Sequence, residues 1–92
     1  MDTHTDPDTG ELYAITAVGV RFGVTPETLV RYEKAGLLAP RVVNDVRFYT
    51  EADVQRLSTI RRLTTICGVN LAGVDVVLRL LEEIKTLQSQ LP

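Results

Sequence analysis

The stretch RYEKAGLLAPRVVNDVRFYTEAD, residues 31–53, decides the fold. It begins inside a helix that Gly36 is placed to end, because glycine readily takes the left-handed conformation common just after a helix. Pro40 prevents any continuation of that helix, since proline has no backbone N–H to donate. The stretch therefore predicts a helix followed by a sharp reversal.

The second half of the stretch predicts a hairpin and a new helix. Residues 41–43 and 46–48 are β-prone and flank Asn44-Asp45, a pair that suits a tight turn. Asn-Asp is a weaker hairpin signal than Asn-Gly, so the sequence does not specify the type of turn. Thr50 and Asp53 then form a capping-box pattern at a helix start. The helix that follows carries an apolar stripe with a step of three residues: Val54, Leu57, Ile60, Leu63 and Ile66.

Upstream of the stretch, two short helices are predicted. After a β-prone segment at 13–15, Thr16 is expected to cap a helix at 17–22 that ends at Gly23. Thr25-Pro26 then opens a second helix that runs to about Ala35. Two short helices around a glycine-containing turn predict a helix-turn-helix, with a helical hairpin of an unrelated bundle as the alternative. A β-hairpin directly after a helix-turn-helix is a wing.

The C-terminal segment predicts a long helix with a broad apolar surface. Asn70 can cap it, and it is expected to run to about Gln90. Because the apolar surface exceeds what one packed side requires, we expect a homodimer, with a helix that completes its own core as the alternative. The predicted dimer interface comprises Leu71, Val74, Val77, Leu78, Leu81, Ile84 and Leu87.

Charge is unevenly distributed along the 92 residues. Residues 1–11 carry −4 and predict a flexible acidic tail, whereas residues 12–67 carry +3 and residues 68–92 carry −1. The sequence thus predicts a winged helix-turn-helix domain at 12–67 and a C-terminal dimerisation or partner-binding helix at 68–92. The local basic excess is compatible with a phosphate partner despite the net charge of −2.

Several classes of protein are disfavoured. No apolar run approaches the ~20 residues of a membrane helix, and no signal peptide is evident, so we expect a cytoplasmic protein. His4 lies in the predicted tail without a catalytic neighbour, and Cys67 is expected to be a small core residue at a helix end. We predict no enzyme activity, no metal site and no cofactor.

Residues 28–41, with Asn44, Arg47, Tyr49 and Asp53, resemble the winged helix-turn-helix of MerR-type transcription regulators. Residues 68–74, GVNLAGV, are similar to the start of the next helix in the heat-shock repressor branch of that superfamily. The implied fold is mainly α, with a small β-hairpin wing and a long C-terminal dimerisation helix.

The resemblance implies a homodimeric DNA-binding regulator, in this branch a repressor of chaperone genes with the Hsp70 chaperone as co-repressor. One helix per protomer would enter a major groove and the wings would lie on flanking phosphates. The candidate DNA-binding residues are Arg21, Thr28, Arg31, Tyr32, Lys34, Arg41, Asn44 and Arg47. For Tyr32, a partly buried packing role is an equal alternative.

The sequence departs from the family pattern at three positions. Val30 and Phe48 stand where the family commonly has arginine, and Asp45 stands where glycine is usual. Fewer arginines would weaken phosphate binding. A second interpretation therefore stays open: chaperone-modulator proteins have a related winged module and bind a J-domain co-chaperone with little or no need for DNA.

Overall fold

The computed structural model describes residues 11–91 and is mainly helical, with one small antiparallel sheet. All but the last residue of the predicted acidic tail lies outside the described residues. The secondary-structure elements in chain order are β1 (Leu12–Ala14), α1 (Ile15–Phe22), α2 (Pro26–Lys34), β2 (Arg41–Val43), β3 (Val46–Thr50), α3 (Glu51–Thr65) and α4 (Leu71–Ser89).

The sheet has three strands in the order β1-β3-β2, so β3 pairs on both sides. The predicted hairpin is confirmed, and Val43 pairs with Val46 across a two-residue turn. Asn44 and Asp45 have φ values of 51° and 65°, and two positive values in succession identify a type I′ turn. The third strand, β1, overlaps the β-prone segment predicted at 13–15, but its pairing with β3 was not predicted.

The helix-turn-helix is formed by α1, a three-residue turn and α2. Gly23 ends α1 with a φ of 64°, and the Val24 N–H donates to the Gly19 carbonyl over 2.9 Å. Thr25 caps α2 by accepting the Thr28 N–H, as predicted. The predicted cap at Thr16 is wrong, because α1 starts at Ile15, two residues earlier than predicted, and Ala14 at its N-cap position makes no side-chain cap.

The end of α2 has the geometry predicted for Gly36, whose φ is 78°. The Leu37 N–H donates to the Tyr32 carbonyl and the Gly36 N–H to the Glu33 carbonyl, each over 2.9 Å. This pair of hydrogen bonds is a Schellman motif, which turns the chain so that the following leucine packs inward. Leu37 is 1% exposed and lies in the core of this part of the chain, with Val18, Val24, Leu29, Tyr32, Leu38, Tyr49, Val54 and Leu57.

Helix α3 begins with the predicted capping box. The Asp53 N–H donates to Thr50 Oγ1 over 3.2 Å, and the Thr50 N–H donates back to the Asp53 carboxylate. Both residues are buried, so this exchange satisfies polar groups that water does not reach. The predicted apolar stripe is too long, because α3 ends at Thr65 and Ile66 is 78% exposed.

The chain divides into two compact units between Thr59 and Ile60. In the second unit, Asn70 caps α4 as predicted, by accepting the Gly73 N–H over 2.8 Å. The preceding turn is closed by the Val69 N–H, which donates to the Leu63 carbonyl over 2.9 Å.

Candidate nucleic-acid interface

One face of α2 carries the polar side chains predicted to contact DNA. Thr28, Arg31 and Lys34 follow one another at intervals of three residues, which places them on one face of a helix. Arg31 and Lys34 are exposed, whereas Thr28 is half-buried with its hydroxyl oxygen 2.9 Å from that of Thr25. Glu27, four residues before Arg31, adds one acid to this face. The face therefore offers two cations to an anionic partner, with one carboxylate near the start of the helix.

Tyr32 is not part of this face. Its side chain is 3% exposed and lies in the core. The prediction that Tyr32 contacts DNA is therefore wrong, because position 32 falls on the same side of α2 as the buried Leu29. The packing alternative that the sequence left open for Tyr32 is the correct one, since residues three apart on a helix share a face.

The wing exposes one arginine and one amide. Arg41 lies in β2 and Asn44 in the turn, and both are exposed. Within residues 11–91, Arg31, Lys34 and Arg41 make no ion pair. Three of the predicted cations are thus available to bind phosphate.

Arg47 has a carboxylate partner within the protein. Its Nη2 donates to Glu33 Oε1, and the Tyr49 hydroxyl donates to Glu33 Oε2 over 2.5 Å. The Arg47 side chain keeps 43% exposure, whereas that of Glu33 keeps 11%. Arg47 is therefore not the free phosphate ligand that the sequence predicted.

The contacts of Glu33 also affect Tyr49. Burial raises the pKa of the Tyr49 hydroxyl well above its ordinary value, and the hydrogen bond to Glu33 raises it further. Glu33 was not singled out from the sequence, although an acid in the last turn of a helix indicates a nearby cationic partner. Its negative charge there opposes the helix macrodipole unless a cation lies nearby.

Arg21 lies on α1, where it is exposed next to an aromatic ring. Its guanidinium carbon is 5.5 Å from the centroid of the Phe22 ring, within the range of a cation–π contact. Arg56, which the sequence did not single out, donates from Nε to the Leu37 carbonyl over 3.1 Å. The first arginine remains accessible to a ligand, and the second supports the loop after α2.

The predicted dimer interface on α4 divides into a buried and an exposed group. Val74 and Leu78 are 0% and 5% exposed in the single chain, so they belong to its own core and are wrong as partner contacts. Leu71 and Val77 are half-buried. The other three predicted residues, Leu81, Ile84 and Leu87, are exposed. Together with Leu80 and with Leu91, which lies just beyond the end of α4, they form a surface that we call the α4 stripe, whose members are each at least 45% exposed.

Other side-chain chemistry is sparse. Residues 11–91 contain no cluster of three or more His, Cys, Asp or Glu side chains that could hold a metal ion. No helix in that range is long and apolar enough to cross a membrane. Cys67 is exposed, so the prediction that it packs in the core is wrong. It follows α3 in the irregular segment before Gly68, whose φ is 69°.

Comparison with known proteins identifies a family and a relative. The family described as MerR HTH family regulatory protein matches residues 13–81. A Streptomyces coelicolor protein, named as a candidate heat shock protein HspR, is 30% identical over 80 residues. The aligned region is 86% of this chain and 53% of that protein, so the chain spans about half the length of this relative.

Proposed function

Because the chain belongs to the MerR HTH family of regulatory proteins, we propose that it is a DNA-binding transcription regulator acting as a homodimer on a two-fold operator. The observation that carries this proposal is the exposed face of α2, where Arg31 and Lys34 have no acidic partner within residues 11–91. Two exposed cations that form no ion pair within residues 11–91, on the second helix of a helix-turn-helix, suit a polyanion.

In this proposal α2 is the recognition helix and lies in a major groove. Arg31 can donate two hydrogen bonds to a guanine edge or to a phosphate, and Lys34 supplies a point charge. Arg41 and Asn44 place the wing on the flanking backbone. Arg21 and Thr28 add donors on either side of the turn, and phosphate contacts of this kind make the affinity fall steeply with salt.

The α4 stripe supports the homodimer. Its leucine and isoleucine side chains recur at helical spacing and are exposed in the single chain, which favours burial against a second copy. A two-fold axis through this contact would give two recognition helices. On B-DNA these must reach successive turns about 34 Å apart, unless the duplex is distorted.

We propose repression of heat-shock or chaperone genes as the cellular role. The support is the similarity to the Streptomyces coelicolor protein named for heat shock. Such a regulator would act in the cytoplasm without enzyme activity or cofactor. It would respond through a chaperone partner, with Hsp70 as the partner that the family resemblance favours.

A chaperone modulator that binds a J-domain protein is the second candidate. The wing favours it, because Arg47 is paired with Glu33 and Val42, Val43 and Val46 are 64%, 45% and 49% exposed. A hairpin with three exposed valines and one arginine, Arg41, that forms no ion pair within residues 11–91 is better suited to bind a protein surface than a wing with the family's additional arginine. This candidate needs no operator.

Binding to DNA and to a J-domain protein should be measured on the same preparation. Fluorescence anisotropy with duplexes from the upstream region of the protein's own gene, at 50 and 200 mM salt, tests the first function. Arg31→Ala is expected to lower the affinity for DNA at least tenfold, because it removes a charge-assisted contact worth about 1.5–3 kcal/mol. Arg79→Ala, on α4, is the matched control because Arg79 is exposed and pairs with Asp75. Equal affinities of both variants, or tight binding to the J-domain protein alone, would refute DNA binding through α2.

A further inference from the structure

A single carboxylate joins the end of α2 to the wing. Glu33 accepts a hydrogen bond from the Arg47 guanidinium on one carboxylate oxygen and a hydrogen bond from the Tyr49 hydroxyl on the other. Its side chain is 11% exposed, so water supplies little of its solvation. Both oxygens therefore depend on donors from β3.

The position of Glu33 makes this contact informative. A carboxylate in the last turn of a helix faces the negative end of the macrodipole, and a nearly buried one is rarely found without a partner. No such penalty applies to Glu27, which lies in the first turn and is exposed. The acid at position 33 is stable there because the wing supplies its donors.

The contact reaches all three strands of the sheet. Arg47 and Tyr49 are two residues apart on β3, so their side chains point to the same side. Arg47 pairs with Val42 of β2, and Tyr49 pairs with Tyr13 of β1. A displacement of the wing relative to α2 would therefore break the contacts of Glu33.

We propose that Glu33 is a positioning residue for DNA binding, which fixes the wing against the recognition helix and keeps Arg47 from acting as an independent phosphate ligand. The part of this proposal that concerns DNA rests on the proposed function. The part that concerns the wing does not. Glu33 contacts no DNA itself and acts through Arg47 and Tyr49.

The salt dependence of DNA binding tests the first part. Glu33→Gln frees the guanidinium, so the plot of log affinity against log salt should steepen by about 0.9 per protomer. Glu83→Gln makes the same charge change on α4, away from the recognition helix and without a contact to Arg47, and should not steepen it. Glu33→Gln combined with Arg47→Gln should restore the original slope. A mere loss of folded protein would lower the affinity at every salt concentration without this pattern, and equal slopes for the two single variants would overturn the proposal.

Amide hydrogen exchange of the free protein tests the second part without DNA. Glu33→Gln should speed exchange in β2 and β3 at least tenfold relative to Glu27→Gln, while exchange in α3 stays unchanged. Unchanged exchange in the wing would overturn the proposal whether or not DNA binds. If the wild type binds no duplex, the proposed function fails and exchange alone decides the role of Glu33. Arg47→Gln, which removes the partner instead, should speed exchange in the same strands if Glu33→Gln does not fold.

Discussion

At the scale of single residues, Gly19 marks a close contact between α1 and the turn of the helix-turn-helix. It is buried in α1, and a Cβ built there would lie 2.9 Å from the Val24 carbonyl oxygen. That oxygen belongs to the backbone of the turn, so it cannot swing aside as a flexible side chain would. The absence of a side chain at position 19 therefore lets the turn fold back onto α1.

Gly19→Ala is expected to destabilise the protein by about 1–3 kcal/mol, the usual cost of overpacking. The cost should outweigh the gain of up to about 1 kcal/mol in helix propensity. Urea unfolding measures the difference. Val20→Ala is the control in the same helix, because Val20 is 85% exposed and should change the free energy of unfolding by less than about 0.5 kcal/mol. A Gly19→Ala protein as stable as the wild type would contradict the close contact.

Tyr49 predicts a loss of stability at high pH. The unfolded chain releases its proton near the ordinary pKa of 10.0, whereas the folded protein retains it because the Tyr49 pKa is raised. Ionisation of Tyr49 therefore stabilises the unfolded state relative to the folded state above pH 10. The free energy of unfolding should fall there by up to about 1.4 kcal/mol per pH unit.

Tyr49→Phe should remove this contribution. Urea unfolding of both proteins between pH 9 and 11 should show a shallower decline for the variant, although it starts from a lower stability through loss of the hydrogen bond to Glu33. Parallel declines would mean that the Tyr49 hydroxyl ionises as readily in the folded protein as in the unfolded chain.

The exposure of a single residue could be predicted from sequence where helical spacing decides it. The exposure of Arg31 and Lys34 on one face follows from the helical period of α2. The same period places Tyr32 beside Leu29 in the core, which is the packing alternative that the sequence left open for this residue. Glu33 and Arg47 are 14 residues apart, and their contact depends on how the hairpin packs, which local patterns do not specify.

At the scale of elements, the wing has the backbone strain of a turn built without glycine. Asn44 and Asp45 both have positive φ, a conformation that costs roughly 1 kcal/mol or more for most non-glycine residues. Asparagine and aspartate tolerate it because their side chains bond locally. Asn-Asp is therefore a serviceable type I′ turn and not the most stable one.

Asp45→Gly is expected to stabilise the protein by about 0.5 kcal/mol. Relief of the positive φ should exceed the added freedom of the unfolded chain. Thermal unfolding measures the change, and Asp45→Asn is the control that removes the same charge while keeping a side chain. Equal stabilisation by both substitutions would assign the effect to charge and would refute the strain.

Elements with local signals were predicted well. The caps at Thr25, Thr50 and Asn70 each lie within three residues of the N–H that they accept, so sequence reveals them. The pairing of Leu12 with Thr50 spans 38 positions and has no such signal. The sequence therefore predicted the hairpin and a β-prone segment at 13–15, but not the pairing of that segment with β3.

At the scale of the whole molecule, the α4 stripe is a surface that a single chain leaves uncovered. The apolar pattern of α4 could be predicted, but hydrophobic spacing does not distinguish a chain's own core from a contact with another chain. That is why Val74 and Leu78 were assigned to the interface together with the exposed Leu81 and Ile84.

Ile84→Glu should convert a homodimer into a monomer, because it places a charge in the centre of the α4 stripe. Sedimentation equilibrium at micromolar concentrations gives the mass directly. Thr86→Glu adds the same charge to the polar side of the same helix and should leave the mass unchanged. A wild-type mass of one chain would refute the dimer, as would a dimeric Ile84→Glu protein.

The exposed thiol of Cys67 affects how such masses are interpreted. It is the one cysteine of the chain, and in an aerated buffer two molecules can become covalently cross-linked through it. A disulfide-linked pair of chains would have the same mass as a non-covalent dimer formed through the α4 stripe. A reducing agent, or Cys67→Ser, separates the two origins, and the same thiol accepts a nitroxide label without any change to the sequence.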